Sequence, residues 1–69
     1  MPLTMAAVGN EHSIKRVGGQ TETRKFLENL GFVPGSHVTV ITKISGNVIV
    51  SVKESRVAIS REMAAKIMV

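Results

Sequence analysis

The sequence predicts a mainly β fold, a small closed or nearly closed barrel of about five short strands with one helix and short helical turns. Three observations carry that prediction. Of its thirty apolar residues sixteen are Val or Ile, whose branched side chains are stiff at χ1 and suit a pleated surface. Ten of those sixteen fall between His37 and Ile59, in runs with the period of two that marks a strand with one buried face. A chain of 69 residues is also too small for a sandwich, and closure would remove strand edges that so much Val and Ile would otherwise expose to aggregation.

Taken in chain order, Ser13-Ile14-Lys15-Arg16-Val17 reads as a strand running into the Gly18-Gly19 loop. A helix comes next, with Thr21 as N-cap, Glu22 at the positive end of the dipole, and Thr23, Phe26, Leu27 and Leu30 at helical spacing. Gly31 suits the left-handed position that ends a helix, and Phe32 beyond it can pack on Leu27, the contact that accompanies a Schellman ending. Pro34-Gly35 fits the centre of a type II turn leading to a strand that starts near His37. There Val38, Val40 and Ile44 alternate with Thr39 and Lys43, and Val48, Val50 and Val52 alternate with Ile49, Ser51 and Lys53, which makes two core-facing strands. The intervening Ser45-Gly46-Asn47 joins them as an antiparallel hairpin. Lys53-Glu54-Ser55-Arg56 turns the chain again into Val57-Ala58-Ile59, completing a meander. Ser60 caps a short helical turn through Lys66, and Ile67-Met68-Val69 is apolar enough to pair as a final strand. With no repeat, linker or low-complexity stretch, residues 1–69 read as a single domain.

Composition excludes several classes of function. The chain has no Cys, so neither a disulfide nor a thiolate zinc site can support so small a core, and a homo-oligomer stays open as a source of support. All five acidic residues are Glu, so a hard-cation cage of clustered Asp is absent. The net charge of +4 is thinly spread, with Lys15-Arg16 and Arg24-Lys25 the only adjacent basic pairs, and reads first as a solubility charge. The longest wholly apolar run, Met5-Ala6-Ala7-Val8, falls far short of the roughly 20 residues that span a bilayer, and no basic stretch precedes it as in a signal peptide. The expectation is a cytoplasmic protein with no direct membrane insertion.

No catalytic constellation is visible. His12 and His37 lie in no recognisable motif, and without Cys or Asp no nucleophile has an oriented base. Glu11-His12 offers adjacent oxygen and nitrogen donors, but neighbours on a strand point to opposite faces. The two could share a metal only in an irregular segment or with ligands lent by another subunit or a partner, and a metal bridging subunits through Glu11, His12 or His37 is the form such a site would take. Gly18-Gly19 lacks the spacing and the Lys of a phosphate-binding loop. A small nucleic-acid-binding β-barrel is the alternative reading, with Lys43, Lys53 and Arg56 as phosphate contacts. Against it, the chain has no Trp or Tyr on which bases could stack, and the same charges serve equally to protect strand edges. The Phe26-Leu27-Leu30-Phe32 cluster reads by default as a core-facing helix stripe, with a surface for a protein partner as the competing reading. Phe26 and Leu27 stand roughly 100° apart around the helix, too wide for both to fit under one small barrel.

The ordered segment Phe26-Leu27-Glu28-Asn29-Leu30-Gly31-Phe32-Val33-Pro34-Gly35 resembles the Leu-Gly-x-x-Pro-Gly signature of the ferrous iron transport protein A (FeoA) domain family. Pro2-Leu3-Thr4-Met5 with Gly9, Arg56-Val57-Ala58-Ile59-Ser60 and Ala65-Lys66-Ile67-Met68-Val69 are similar to the family's start, penultimate strand and ending. The resemblance implies an SH3-like barrel with no enzymatic activity and no cofactor. It also implies a cytoplasmic accessory role in bacterial ferrous iron uptake, with the cytosolic GTP-binding part of the FeoB membrane transporter as partner. Iron need not be bound by the chain itself. Members often carry a Gly-Asp-Pro segment in the hairpin where this chain has Ser45-Gly46-Asn47, so no binding role is carried over to that loop. The partner-binding residues expected are Arg24, Leu27 and Leu30 on the helix, with Phe32 and the Pro34-Gly35 turn fixing its end.

Overall fold

The computed structural model describes residues 1–69. A 3-10 turn at Leu3–Met5 precedes β1 (Glu11–Ser13), β2 (Arg16–Val17), helix α1 (Thr21–Asn29), β3 (His37–Ile44), β4 (Asn47–Val52), β5 (Ser55–Ser60), the short α2 (Arg61–Ala64) and β6 (Ile67–Met68). Strands β1-β3-β4-β5 form an antiparallel four-stranded sheet, and β2 pairs with β6 in a second, two-stranded sheet that Pro2 extends by a bridge to Met68. The mainly β reading with one principal helix therefore holds. The hydrogen-bonded ladder does not close, however: the larger sheet stops at β5.

Fourteen buried residues make one core, drawn from the 3-10 turn and the residue after it (Leu3, Ala6), the helix (Leu27, with Phe32 beyond it), the meander (Val38, Val40, Val48, Val50, Val52, Ile59) and the C-terminal segment (Ala64, Ile67, Val69). Ile14 belongs to it as well, and explains why the single strand expected over Ser13–Val17 is broken in two. Its side chain is buried, its N–H donates to Ser36 O at 2.8 Å, and the next N–H, that of Lys15, donates to Met68 O at 2.7 Å. The chain thus changes partner from one sheet to the other at Ile14, which fills the gap between them.

The alternation expected along β3 fails at its far end. The register slips between Val40 and Thr42, leaving Ile41 as a bulge. Residues directly opposite in an antiparallel pair share a face, so Lys43, now opposite buried Val48, turns to the inner face at the barrel mouth, where its Nζ donates to Thr4 O at 3.0 Å. Ile44, expected inside, is thrown outward and is 54% exposed.

Candidate functional site

The helix α1 and its C-terminal turn form the region singled out by sequence. Gln20, not Thr21, occupies the N-cap, and its side chain makes no capping bond, so the helix start is weakly fixed. Its end is held firmly. Gly31 N–H donates to Glu28 O at 2.9 Å and Phe32 N–H to Leu27 O at 3.0 Å, the paired bonds of a Schellman motif, with Gly31 at φ +107°. Ser36 N–H then donates to Val33 O at 3.0 Å across Pro34-Gly35, with Gly35 at φ +90°, as a type II turn requires. That turn is tied to the barrel by Gly35 N–H donating to Ile14 O at 2.9 Å.

The six residues expected to meet a partner divide sharply. Leu27 and Phe32 are 0% exposed, so neither can touch a docked protein; both are core residues that hold the helix end on the barrel. Leu30 is half-buried against the same core, while Arg24, Pro34 and Gly35 are exposed. Helical geometry separates the exposed groups further. Relative to Leu27, Arg24 lies roughly 60° to one side and Phe26 roughly 100° to the other, so no single face presents both. Phe26, four residues before Leu30, is 49% exposed and forms with it the apolar flank of the helix. The sequence signal for this was the wide angle between Phe26 and Leu27, which already left one of the two without a place in the core.

The other candidate residues also separate by face. His12, opposite Val38, points to the core side, where its Nε2 is buried without a hydrogen-bond partner. Glu11 and His37 share the outer face through the β1–β3 register, with Glu11 Oε1 3.8 Å from His37 Nδ1. They line a polar groove with Ser36, Thr39, Ser51, Lys53 and Glu54. Nowhere do three His or Glu side chains converge closely enough to hold a metal ion, and the Glu11–His37 pair alone supplies two donors. Lys43 and Lys53 line different grooves and do not add up to one basic patch.

A small two-sheet barrel with a Schellman-capped helix on its side defines a domain of the SH3-like type. The family model described as FeoA domain matches residues 1–69, and the chain belongs to that family, whose role in ferrous iron transport is accessory. It is 38% identical over 68 residues to the "Putative Fe(2+) transport protein A" of Methanocaldococcus jannaschii, covering 99% of this chain and 83% of that one. Among solved structures it is similar to a crystal structure of an iron uptake regulatory protein (FeoA), with a TM-score of 0.89, 25% identity, and 97% and 91% of the two chains covered. It also resembles Stenotrophomonas maltophilia FeoA complexed with zinc, described as a prokaryotic SH3 domain protein. There the TM-score is 0.86 at 22% identity, with 99% and 87% of the chains covered. No helix of the chain is long and apolar enough to cross a membrane.

Proposed function

We propose that this chain acts in the cytoplasm as a docking module, binding the cytosolic GTP-binding part of a FeoB-type ferrous iron transporter and modulating it. The docking face is the Phe26–Leu30 flank of α1. The observation that carries this reading is Phe26 itself: an aromatic ring 49% exposed beside half-buried Leu30, on a helix whose end is rigidly set by buried neighbours. Aromatic side chains dominate the energetics of protein interfaces when a partner covers them. Membership in a family that serves ferrous iron transport supports a partner in that transport system. The nucleic-acid reading has weaker support, because Phe32 is buried and Lys43 is tied to Thr4 O, which removes one stacking ring and one free cation.

Calorimetric titration of the transporter's isolated cytosolic domain with Phe26→Asp tests the reading. Since Phe26 is not a core residue, the variant keeps its circular dichroism spectrum, and the affinity is expected to fall by at least about tenfold, the scale of an interface anchor. Leu27→Asp would be a poorer probe, because it drives a carboxylate into the core. Undiminished binding by folded Phe26→Asp sinks the proposed face.

A further inference from the structure

The four-stranded sheet ends differently on its two sides. On one side β1 is three residues long, and its chain leaves at Ile14 for the second sheet. On the other, β5 pairs with β4 over six consecutive positions without a bulge, and no strand lies beyond it. The turn before β5 sets which groups this free edge presents. Lys53 and Glu54, at φ +49° and +64°, make a two-residue hairpin of type I′, whose closing pair Val52 and Ser55 exchanges both ladder bonds. Val57 and Ile59 must then also turn their backbone groups toward β4. The bond from Arg61 N–H to Gly46 O at 3.0 Å continues the same parity. Arg56 and Ala58 therefore aim N–H and C=O away from the sheet, and Ser60 aims its N–H the same way while its C=O, at the N-cap position, serves the first turn of α2. None of the turn and loop backbone bonds reaches residues 55–59.

We infer that this edge receives an extended segment of a partner protein as a fifth strand, antiparallel to β5, with an acidic residue opposite Arg56 and an apolar one opposite Ala58. Strand addition of this kind takes its affinity from main-chain bonds and its specificity from alternate side chains. The row of outer-face residues through Arg56 continues into Ser51, Thr39 and Glu11. No Glu carboxylate lies within salt-bridge distance of Arg56, the one such contact in the molecule being that of Glu11 with the His37 imidazole, so Arg56 has no acidic partner. An incoming carboxylate would supply the first, and the net charge of +4 favours the approach of an acidic segment. The next row is Ala58, Ile49 and Thr42. Ala58 is exposed and Ile49 half-covered, so an apolar side chain opposite Ala58 removes apolar surface from water. Because the added strand runs antiparallel, its motif reads apolar-x-acidic from N- to C-terminus.

A second copy of this chain fits the same edge less well. Pairing two β5 strands about Val57 satisfies the outward groups, setting each Arg56 opposite Ala58 of the second copy. It also makes the two Arg56 side chains diagonal neighbours on one face, roughly 7–8 Å apart, where like charges repel. The inferred surface is separate from the α1 flank and stands whether or not the transporter is the partner.

The test is an NMR titration of the full chain with two blocked nonapeptides, Thr-Thr-Thr-Val-Thr-Glu-Thr-Thr-Thr and the same peptide with Lys in place of Glu. The expected result is shift changes and slowed exchange at the amides of Arg56, Ala58 and Ser60, with the Glu peptide preferred about fivefold, the scale of a good cross-strand charge pair. Arg56→Glu reverses that preference. Ala58→Pro removes a donor that β4 does not use, a substitution edge strands tolerate, so the protein stays folded and loses both peptides. Three outcomes overturn the inference: no response of residues 55–60 at millimolar peptide, an unchanged preference in Arg56→Glu, or protection of these amides that grows with protein concentration and marks self-pairing.

Discussion

The β3–β5 meander and helix α1 are attached to the same core by different means. Six buried residues from three strands hold the meander, locked in register by a β4–β5 ladder without a break and a β3–β4 ladder interrupted only at Ile41, so no one side chain decides its position. Within α1 only Leu27 is fully buried. The helix is oriented mainly from its C-terminal end, where the Schellman bonds of Gly31 and Phe32 and the Pro34-Gly35 turn clamp it to Ile14. A surface element can thus present an exposed apolar flank while the residues just beyond its C-terminus fix its aim. The barrel supplies stability, and the clamp supplies direction.

Phe32→Ala is the strongest way to break this division, because Phe32 is the largest fully buried side chain and lies in both the clamp and the core. Truncating a buried Phe costs about 3–5 kcal/mol, a large share of the roughly 0.05–0.15 kcal/mol per residue that small domains possess. Urea denaturation should show the midpoint collapse for helix and strands together. Separate transitions, or a loss of less than about 1 kcal/mol, would mean that the clamp and the barrel are independent.

Leu27→Ala sharpens the comparison from the other side. The cavity penalty of about 2–5 kcal/mol for a buried Leu sets a ceiling, since a helix with one buried anchor can lift away instead. Hydrogen exchange should accelerate for the amides from Arg24 to Leu30 and stay unchanged from Val38 to Val52. Uniform acceleration would show that the helix is as much a part of the barrel as any strand.

Gly31→Ala acts where the two regions touch. At φ +107° the backbone is unsuited to a side chain, and an added Cβ would stand 3.3 Å from Lys53 Cγ in the turn between β4 and β5. A loss of about 1–3 kcal/mol is expected from the strained dihedral. Thermal denaturation of Gly31→Ala in wild-type and Lys53→Ala backgrounds separates the parts. The crowding disappears with the lysine side chain and the backbone strain does not, so most of the loss should survive in the double variant.

Much of this was legible in the sequence because it depends on local chemistry. Gly31 and Phe32 announced the helix ending, Pro34-Gly35 the type II turn, and Ser60 the cap of α2, which accepts from Met63 N–H at 3.2 Å. The features that escaped depend on neighbours distant in sequence. The Ile41 bulge exists only relative to β4, and it alone decides that Lys43 turns in and Ile44 turns out. The break at Ile14 reflects two sheets competing for one segment. Glu11 and His37 meet because β1 pairs with β3, across a separation that no local motif spans. At the candidate site the surplus of apolar helix face could be read, but which residue was surplus could not. Helical spacing left Leu27 as a candidate for an outward role that burial denies it, and Phe26 holds the exposed place.

The smallest expected effect bears on why the two regions treat the left-handed conformation so differently. At the helix end that conformation falls to a glycine, whereas in the meander Lys53 and Glu54 adopt it with full side chains, at φ +49° and +64°. The β4–β5 ladder over-determines its turn and imposes strain there; the helix end has no such ladder and needs a residue that fits unaided. Glu54→Gly relieves a steric cost of about 1–2 kcal/mol and gives back about 0.5–1 kcal/mol through the freer unfolded chain. The balance is a stabilisation of up to about 1.5 kcal/mol, read as a modest rise in Tm. A fall in Tm would mean that the Glu54 side chain contributes more to the folded state than its backbone strain removes, and that the meander tolerates the conformation because of that contact rather than because of the ladder.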